Sequence, residues 1–226
     1  MTFSAEWDQR FRTNQNISVW PWSDLVSYVN RYARPADGYT RVLELGCGAG
    51  ANIPFFTSLA VDYFAIEGSA SIVARLHDAH PGLRGRIVAG DFTQALPFAG
   101  LFDLVIDRSA VTHNTTDAIS RTLAMIFDRL RPGGKFIGID WFSSAHQDAQ
   151  NGDAMDAHTR ANFRNGQFAG VGAVHFSDQH HLIDLLTRAG FRIDLLEKKD
   201  LQVVHPKGGG GRAERAGMWH FVAVKP

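Results

Sequence analysis

The stretch Val42-Leu43-Glu44-Leu45-Gly46-Cys47-Gly48-Ala49-Gly50 constrains this chain more than any other. An apolar run of strand length ends in three glycines spaced two apart, and a helix-period segment follows to about residue 59. Without a Cβ, glycine admits left-handed backbone, so the chain can turn tightly or pass close against a ligand. A strand–glycine–helix junction of this kind opens an alternating α/β sheet. The rest of the chain keeps up the alternation. Strand-length runs at Arg41–Leu45, Asp62–Ile66, Arg86–Ala89, Leu101–Ile106, Lys135–Ile139, Phe191–Leu196 and Trp219–Val224 are separated by segments of helical period. A helix is expected over 24–34, capped by Ser23 and ended by Pro35, and another over 70–79. The helix carrying Ile119, Leu123, Ile126, Phe127 and Leu130 should stop at Pro132-Gly133-Gly134, and one over Leu182–Leu186 should close at Gly190. Gly208–Gly211 lies in a stretch short enough for a hairpin loop, so the last two strands should be antiparallel.

Length and composition narrow the class. At 226 residues, 45% hydrophobic and 20% charged, the chain reads as a single globular domain over 1–226. It would carry an N-terminal helical arm at 1–36 and a polar, irregular insertion at 143–176, long enough to be a lid or binding loop. Basic and acidic residues both total 23, so no basic field for a nucleic-acid backbone is present. No stretch approaches the 18 or more apolar residues that span a bilayer. The N-terminus lacks the pattern of a secretory signal, and the expected location is cytoplasmic. A lone cysteine, Cys47, excludes a disulfide framework and a multi-thiolate zinc site. Ten histidines are present, but the adjacent pair His180-His181 would point apart on a helix and no His-x-x-x-His spacing occurs, so no metal is expected. Oligomeric state leaves no signature.

Acids follow the strand ends in order. Glu44 precedes the glycine loop, Glu67 stands 21 residues beyond Gly46 at the tip of the second strand, and Gly90-Asp91-Phe92 follows the third. An acid at the second strand end can accept both hydroxyl hydrogens of a ribose, and an aromatic ring at the third offers a platform for a flat base. Together they describe an adenosine site. From about residue 40 onward the chain resembles the class I S-adenosylmethionine-dependent methyltransferases of small molecules. Leu130-Arg131-Pro132-Gly133-Gly134-Lys135-Phe136 and Leu186-Thr187-Arg188-Ala189-Gly190-Phe191 add to that likeness. It implies an α/β, Rossmann-like, seven-stranded sheet with helices on both faces, ordered 3-2-1-4-5-7-6 with the last strand antiparallel. It also implies S-adenosyl-L-methionine as cofactor and S-adenosyl-L-homocysteine as product. Glu44, Gly46, Cys47, Gly48 and Gly50 would face the methionine part, and Glu67 with Gly68 the ribose. Asp91 and Phe92 would face the adenine, and Asp107 with Arg108 the sulfonium end.

Two other readings stand beside this one. Gly46-x-Gly48-x-x-Ala51 also satisfies the dinucleotide fingerprint of an NAD(P)-dependent oxidoreductase. All four tyrosines lie at or before residue 63, however, so no Tyr-x-x-x-Lys pair follows the sheet. A non-catalytic S-adenosyl-ligand-binding protein would bind the cofactor and transfer nothing. For a methyl acceptor with an O–H or ammonium, a base must remove a proton, and His113 after the fourth strand is the candidate, or else a histidine that braces its loop. Trp20 and Trp22 before the first helix could wall an acceptor pocket or pack an N-terminal arm, and Trp141 ends the fifth strand at the same edge. Arg160 and Arg164, four apart, could clamp an anionic small molecule or form a solvated face.

Overall fold

The computed structural model describes residues 5–13, 17–36, 40–204 and 213–226. Five strands, β1 (Arg41–Leu45), β2 (Asp62–Glu67), β3 (Ile87–Ala89), β4 (Phe102–Arg108) and β5 (Leu130–Phe142), run parallel. Two long strands, β6 (Arg192–Val204) and β7 (Ala213–Val224), complete one sheet ordered 3-2-1-4-5-7-6, with β7 antiparallel to both neighbours. This is the strand order that the family resemblance implies, and its antiparallel last pair is the one expected from the closing hairpin. Gly208–Gly211 lies outside the described residues.

Alternate side chains of each strand enter two separate cores. Leu43, Leu45, Val105 and Phe136 pack under α5 (Thr116–Arg129) and α6 (Gln179–Arg188). Val42, Leu104, Ile106 and Ile137 pack under α2 (Ser23–Tyr28), α3 (Ile53–Ser58) and α4 (Ala70–Ala79). Strands buried on both faces explain why these runs are continuously apolar. Before α2 comes α1 (Ala5–Arg12). The segment 143–176 builds a three-stranded sheet of its own, Asp153–Ala154, Thr159–Ala161 and Val174–His175, over a core of Phe163, Phe168, Val171 and Phe176.

Three local expectations give way. The first helix is α-helical only over Ser23–Tyr28 and continues as a π turn, Val29–Ala33, until Arg34 leaves at φ +48°. Its N-cap is Trp22, and Ser23 makes no capping bond. Helix α5 ends at Arg129 rather than at the Pro-Gly-Gly triplet, because that triplet is already paired as strand. The Gly133 amide donates to the Lys225 carbonyl at 2.8 Å, and the Lys225 amide donates to Gly134 at 3.0 Å. Among the described residues no helix is long and apolar enough to cross a membrane.

Candidate active site

Every group expected at the strand ends comes from the carboxyl edge of the sheet, where open α/β sheets bind ligands. A cavity of about 680 Å³ lies there, large enough for a cofactor and part of a second small molecule. Gly46, Gly48 and Gly50 all adopt positive φ, at 63°, 51° and 83°. Two of the three are held by packing. A Cβ on Gly46 would lie 2.2 Å from the Ala110 Cβ, and one on Gly50 would lie 2.6 Å from Leu76 Cδ2. Gly48 differs: its Cβ would meet only the Phe11 ring, 3.7 Å away, so a side chain there would project into the cavity.

Glu67 closes the loop from the next strand. Its carboxylate accepts the Gly48 amide at 2.8 Å and the Ser69 amide at 2.9 Å. Burial raises its pKa against the pull of these amides, and its lining position leaves lone pairs for hydroxyl donors. Glu44 is buried too, accepting from Asn52 Nδ2 at 2.8 Å and from the Tyr63 hydroxyl at 2.5 Å. Burial likewise raises its carboxyl. Asp91 uses Oδ1 to accept from the Thr93 amide and hydroxyl, which turns the chain so that Phe92 lines the cavity. Cys47 and Gly68 line it as well, and burial lifts the Cys47 thiol well above its ordinary range.

After β4 the chain turns back at Ser109, whose φ is +58°. Asp107 makes that turn and is not part of the lining. Its carboxylate accepts the amides of Ala110 and Val111 at 3.1 and 3.0 Å and Trp141 Nε1 at 2.6 Å. Burial pushes its pKa up to about 7 in spite of these donors. Trp141 is therefore a core residue with no exposed surface, its indole bound to Asp107 rather than facing a ligand. Arg108 does line the cavity. Its guanidinium lies 3.6 Å from the Trp22 ring centroid and pairs with Asp140 at 2.6 Å. Trp22 shares the lining, whereas Trp20 stands 75% exposed outside it. Arg160 sits on the short strand Thr159–Ala161 and Arg164 on the surface beyond the Asn162 turn at φ +57°, so they share no helical face and neither lines the cavity.

His113 lines the cavity between Trp7 and the 143–176 segment. Its Nδ1 lies 3.2 Å from the Ala173 carbonyl. A carbonyl only accepts, so Nδ1 carries the proton and Nε2 keeps its lone pair. Burial lowers the imidazole pKa to about 4, and the ring is neutral at pH 7.

Helix α1 supplies lining that the sequence did not single out, Trp7 and Phe11. Asp8 accepts from the Ser69 and Ser71 hydroxyls at 2.5 and 2.8 Å, while Arg10 donates to the Ala169 carbonyl at 2.5 Å. The helix thus bridges the start of α4 and the 143–176 segment. Asn52, Thr93, Ser109 and Asn114 also line the cavity unforeseen.

A family model described as a methyltransferase domain matches residues 42–134. No curated sequence matches the chain. An S-adenosylmethionine-dependent methyltransferase from Methanosarcina mazei is 17% identical at a TM-score of 0.66, over 91% of this chain and 98% of that one. The 1,6-didemethyltoxoflavin N1-methyltransferase of Burkholderia thailandensis, solved with 1,6-didemethyltoxoflavin and S-adenosylhomocysteine bound, is 22% identical at 0.61, over 90% and 77%. The [4+2]-cyclase SpnF is 16% identical at 0.66, over 100% and 98%. At such identities likeness speaks for fold alone, and the match over 42–134 speaks for a methyltransferase domain there. The chain holds a methyltransferase domain over residues 42–134, on a fold that it shares with S-adenosylmethionine-dependent methyltransferases.

Proposed function

We propose that the chain is a cytoplasmic enzyme that transfers the methyl group of S-adenosylmethionine to an O or N atom of a small molecule. One observation carries the reading: a neutral His113 lines the same cavity as the glycine loop, with Nδ1 engaged and Nε2 unprotonated. The residues present fit the cofactor. Gly48 leaves open the space that a side chain would fill, and Glu67 offers a ribose a carboxylate whose position two amides fix. In this reading Glu67 takes the ribose hydroxyls, Asp91 and Phe92 the adenine, and Glu44 with the loop the methionine part. Asp107 acts through the turn it holds, setting Ser109 and Ala110 at the cavity wall. Bound S-adenosylmethionine supplies an electrophilic methyl on a sulfonium.

The chain's own contribution is placement and proton removal. An in-line displacement gains most from holding the acceptor at the right distance and angle. Trp7, Trp22 and Arg108 line the space beside His113, apolar walls with one cation. His113 Nε2 takes the proton of an O–H or ammonium acceptor, a contribution of about 10²–10⁴-fold. Balanced net charge supports a small acceptor over nucleic acid. So does the 1,6-didemethyltoxoflavin bound to the structurally similar Burkholderia methyltransferase.

The test uses S-adenosylmethionine labelled in its methyl group, incubated with the protein and a metabolite extract. Label should enter one small molecule, and His113→Gln should slow transfer about 10²–10⁴-fold while binding S-adenosylhomocysteine as the wild type does. Label in the macromolecular fraction, or unchanged transfer by His113→Gln, would refute the reading.

A further inference from the structure

Three histidines outside the cavity lining meet where the 143–176 segment touches α6. His158 precedes the strand Thr159–Ala161, His175 lies in Val174–His175, and His181 is in the first turn of α6. His175 Nε2 is hydrogen-bonded to His181 Nε2 at 3.2 Å and to Ser177 Oγ at 3.1 Å, contacts that a bound ion would replace. The His158 ring stacks on His181 with centroids 3.5 Å apart and planes within 3°. Two nitrogens bound to one tetrahedral ion at about 2.0–2.1 Å lie roughly 3.3 Å apart. The His175–His181 spacing is that of such an edge.

The surroundings agree. His175 Nδ1 lies 3.1 Å from Thr159 Oγ1 and 3.4 Å from Thr116 Oγ1, the outer contact that orients a ligating imidazole and fixes its tautomer. Burial, then the neighbouring imidazoles, lowers the pKa of both His175 and His181, the former to about 3, so both are unprotonated at pH 7. Asp156 acts on both rings, and Asp178 and Asp184 act on His181. Neutral imidazoles ringed by carboxylates favour a cation, and imidazole suits zinc, copper or nickel.

We propose that His175 and His181, joined by His158 turning in from its stack, bind a transition-metal dication such as Zn²⁺. The ion ties the inner strand of the 143–176 segment to α6. That strand begins one residue after Ala173, whose carbonyl holds His113, so the tie steadies one wall of the cavity. Sequence spacing hides the site, because its ligands sit on three elements. The Asp24–Asp140–His220 cluster, with ligand atoms within 4.8 Å of one another, is the natural control. There Lys199 lies 3.1 Å from Asp24 and Arg108 lies 2.6 Å from Asp140, so lysine and arginine already supply the positive charge.

The experiment titrates EDTA-treated, dialysed protein with ZnCl₂ by calorimetry, and with Cu²⁺ followed by electron paramagnetic resonance. One Zn²⁺ per chain is expected, and the Cu²⁺ spectrum should show at least two imidazole nitrogens. His181→Gln and His158→Gln, at half-buried positions, should weaken binding at least about tenfold with an unchanged far-ultraviolet spectrum. Asp24→Asn should bind as the wild type does. No stoichiometric Zn²⁺ binding, fewer than two nitrogens on Cu²⁺, wild-type affinity in His181→Gln, or loss in Asp24→Asn would each overturn the proposal.

Discussion

Glu67 and Asp107 both close parallel strands at the same edge of the sheet, yet their carboxylates do different work. Glu67 spends one lone pair on each of two amides and stays on the cavity wall. Asp107 is turned inward, where two amides and the Trp141 indole consume it. Spacing along the chain locates a strand end but not the direction of its last side chain, and so Trp141 read as a wall residue when it is core. His113 is the residue whose environment makes a sharp forecast. Burial first, with the Ala173 carbonyl opposing, sets its pKa to about 4, below the ordinary 6.5. A base must be neutral, so the acid limb of kcat/KM should fall with a midpoint near pH 4 rather than 6.5. The same shift makes a stability claim. A depressed histidine contributes its full stability above about pH 6.5 and loses it as pH falls toward 4, up to about 3 kcal/mol. Urea unfolding at pH 7 and pH 4 should therefore show wild type losing up to about 3 kcal/mol more than His113→Gln. Equal losses would mean that His113 is solvated and not held neutral.

Helix α1 lies within the 1–36 arm, but its bounds and its lining residues were not singled out from sequence, for a physical reason. It is only eight residues long, and its two large apolar side chains, Trp7 and Phe11, are one turn apart, too few to define a period. Its position is set by tertiary bonds instead, Asp8 to Ser69 and Ser71, and Arg10 to Ala169. The end of α5 shows the same override. Pro132-Gly133-Gly134 looks like a helix stop, but the hydrogen bonds its backbone makes with Lys225 draw it into β5. Elements fixed by their own pattern, such as α4 over 70–79 or the glycine turn, were legible to the residue. Because α1 lines the cavity while spanning α4 and the 143–176 segment, deletion of residues 1–13 should weaken S-adenosylhomocysteine binding at least about tenfold, mainly through faster release. Stopped-flow dissociation rates and calorimetry measure this. Unfolding should remain cooperative, because each strand of the sheet keeps its neighbours. An unchanged dissociation rate would show that α1 is a bystander.

At the scale of the molecule, the closing antiparallel pair followed from the terminal hairpin, and the strand order from the family resemblance. The cavity did not, because it is assembled from parts far apart in sequence: α1, the turns after β1 to β4, and His113 braced by Ala173. A ligand that touches all of them links their stabilities. At a concentration 100 times its Kd, a ligand that binds only the folded state stabilises it by about 2.7 kcal/mol. For a chain of this size each kcal/mol is worth about 2–4 °C in Tm, so saturating S-adenosylhomocysteine should raise Tm by about 5–11 °C. NAD⁺ at the same concentration should give no shift, which separates the oxidoreductase fingerprint from the methyltransferase site. Gly48→Val adds the internal control. Its backbone sits at φ +51°, where a β-branched residue is strained by about 1–2 kcal/mol, so the variant should start at a lower Tm. Its side chain would stand in the cavity, so no ligand shift should follow. A full shift in Gly48→Val, or one produced by NAD⁺, would move the cofactor away from the glycine turn and undo the assignment built on it.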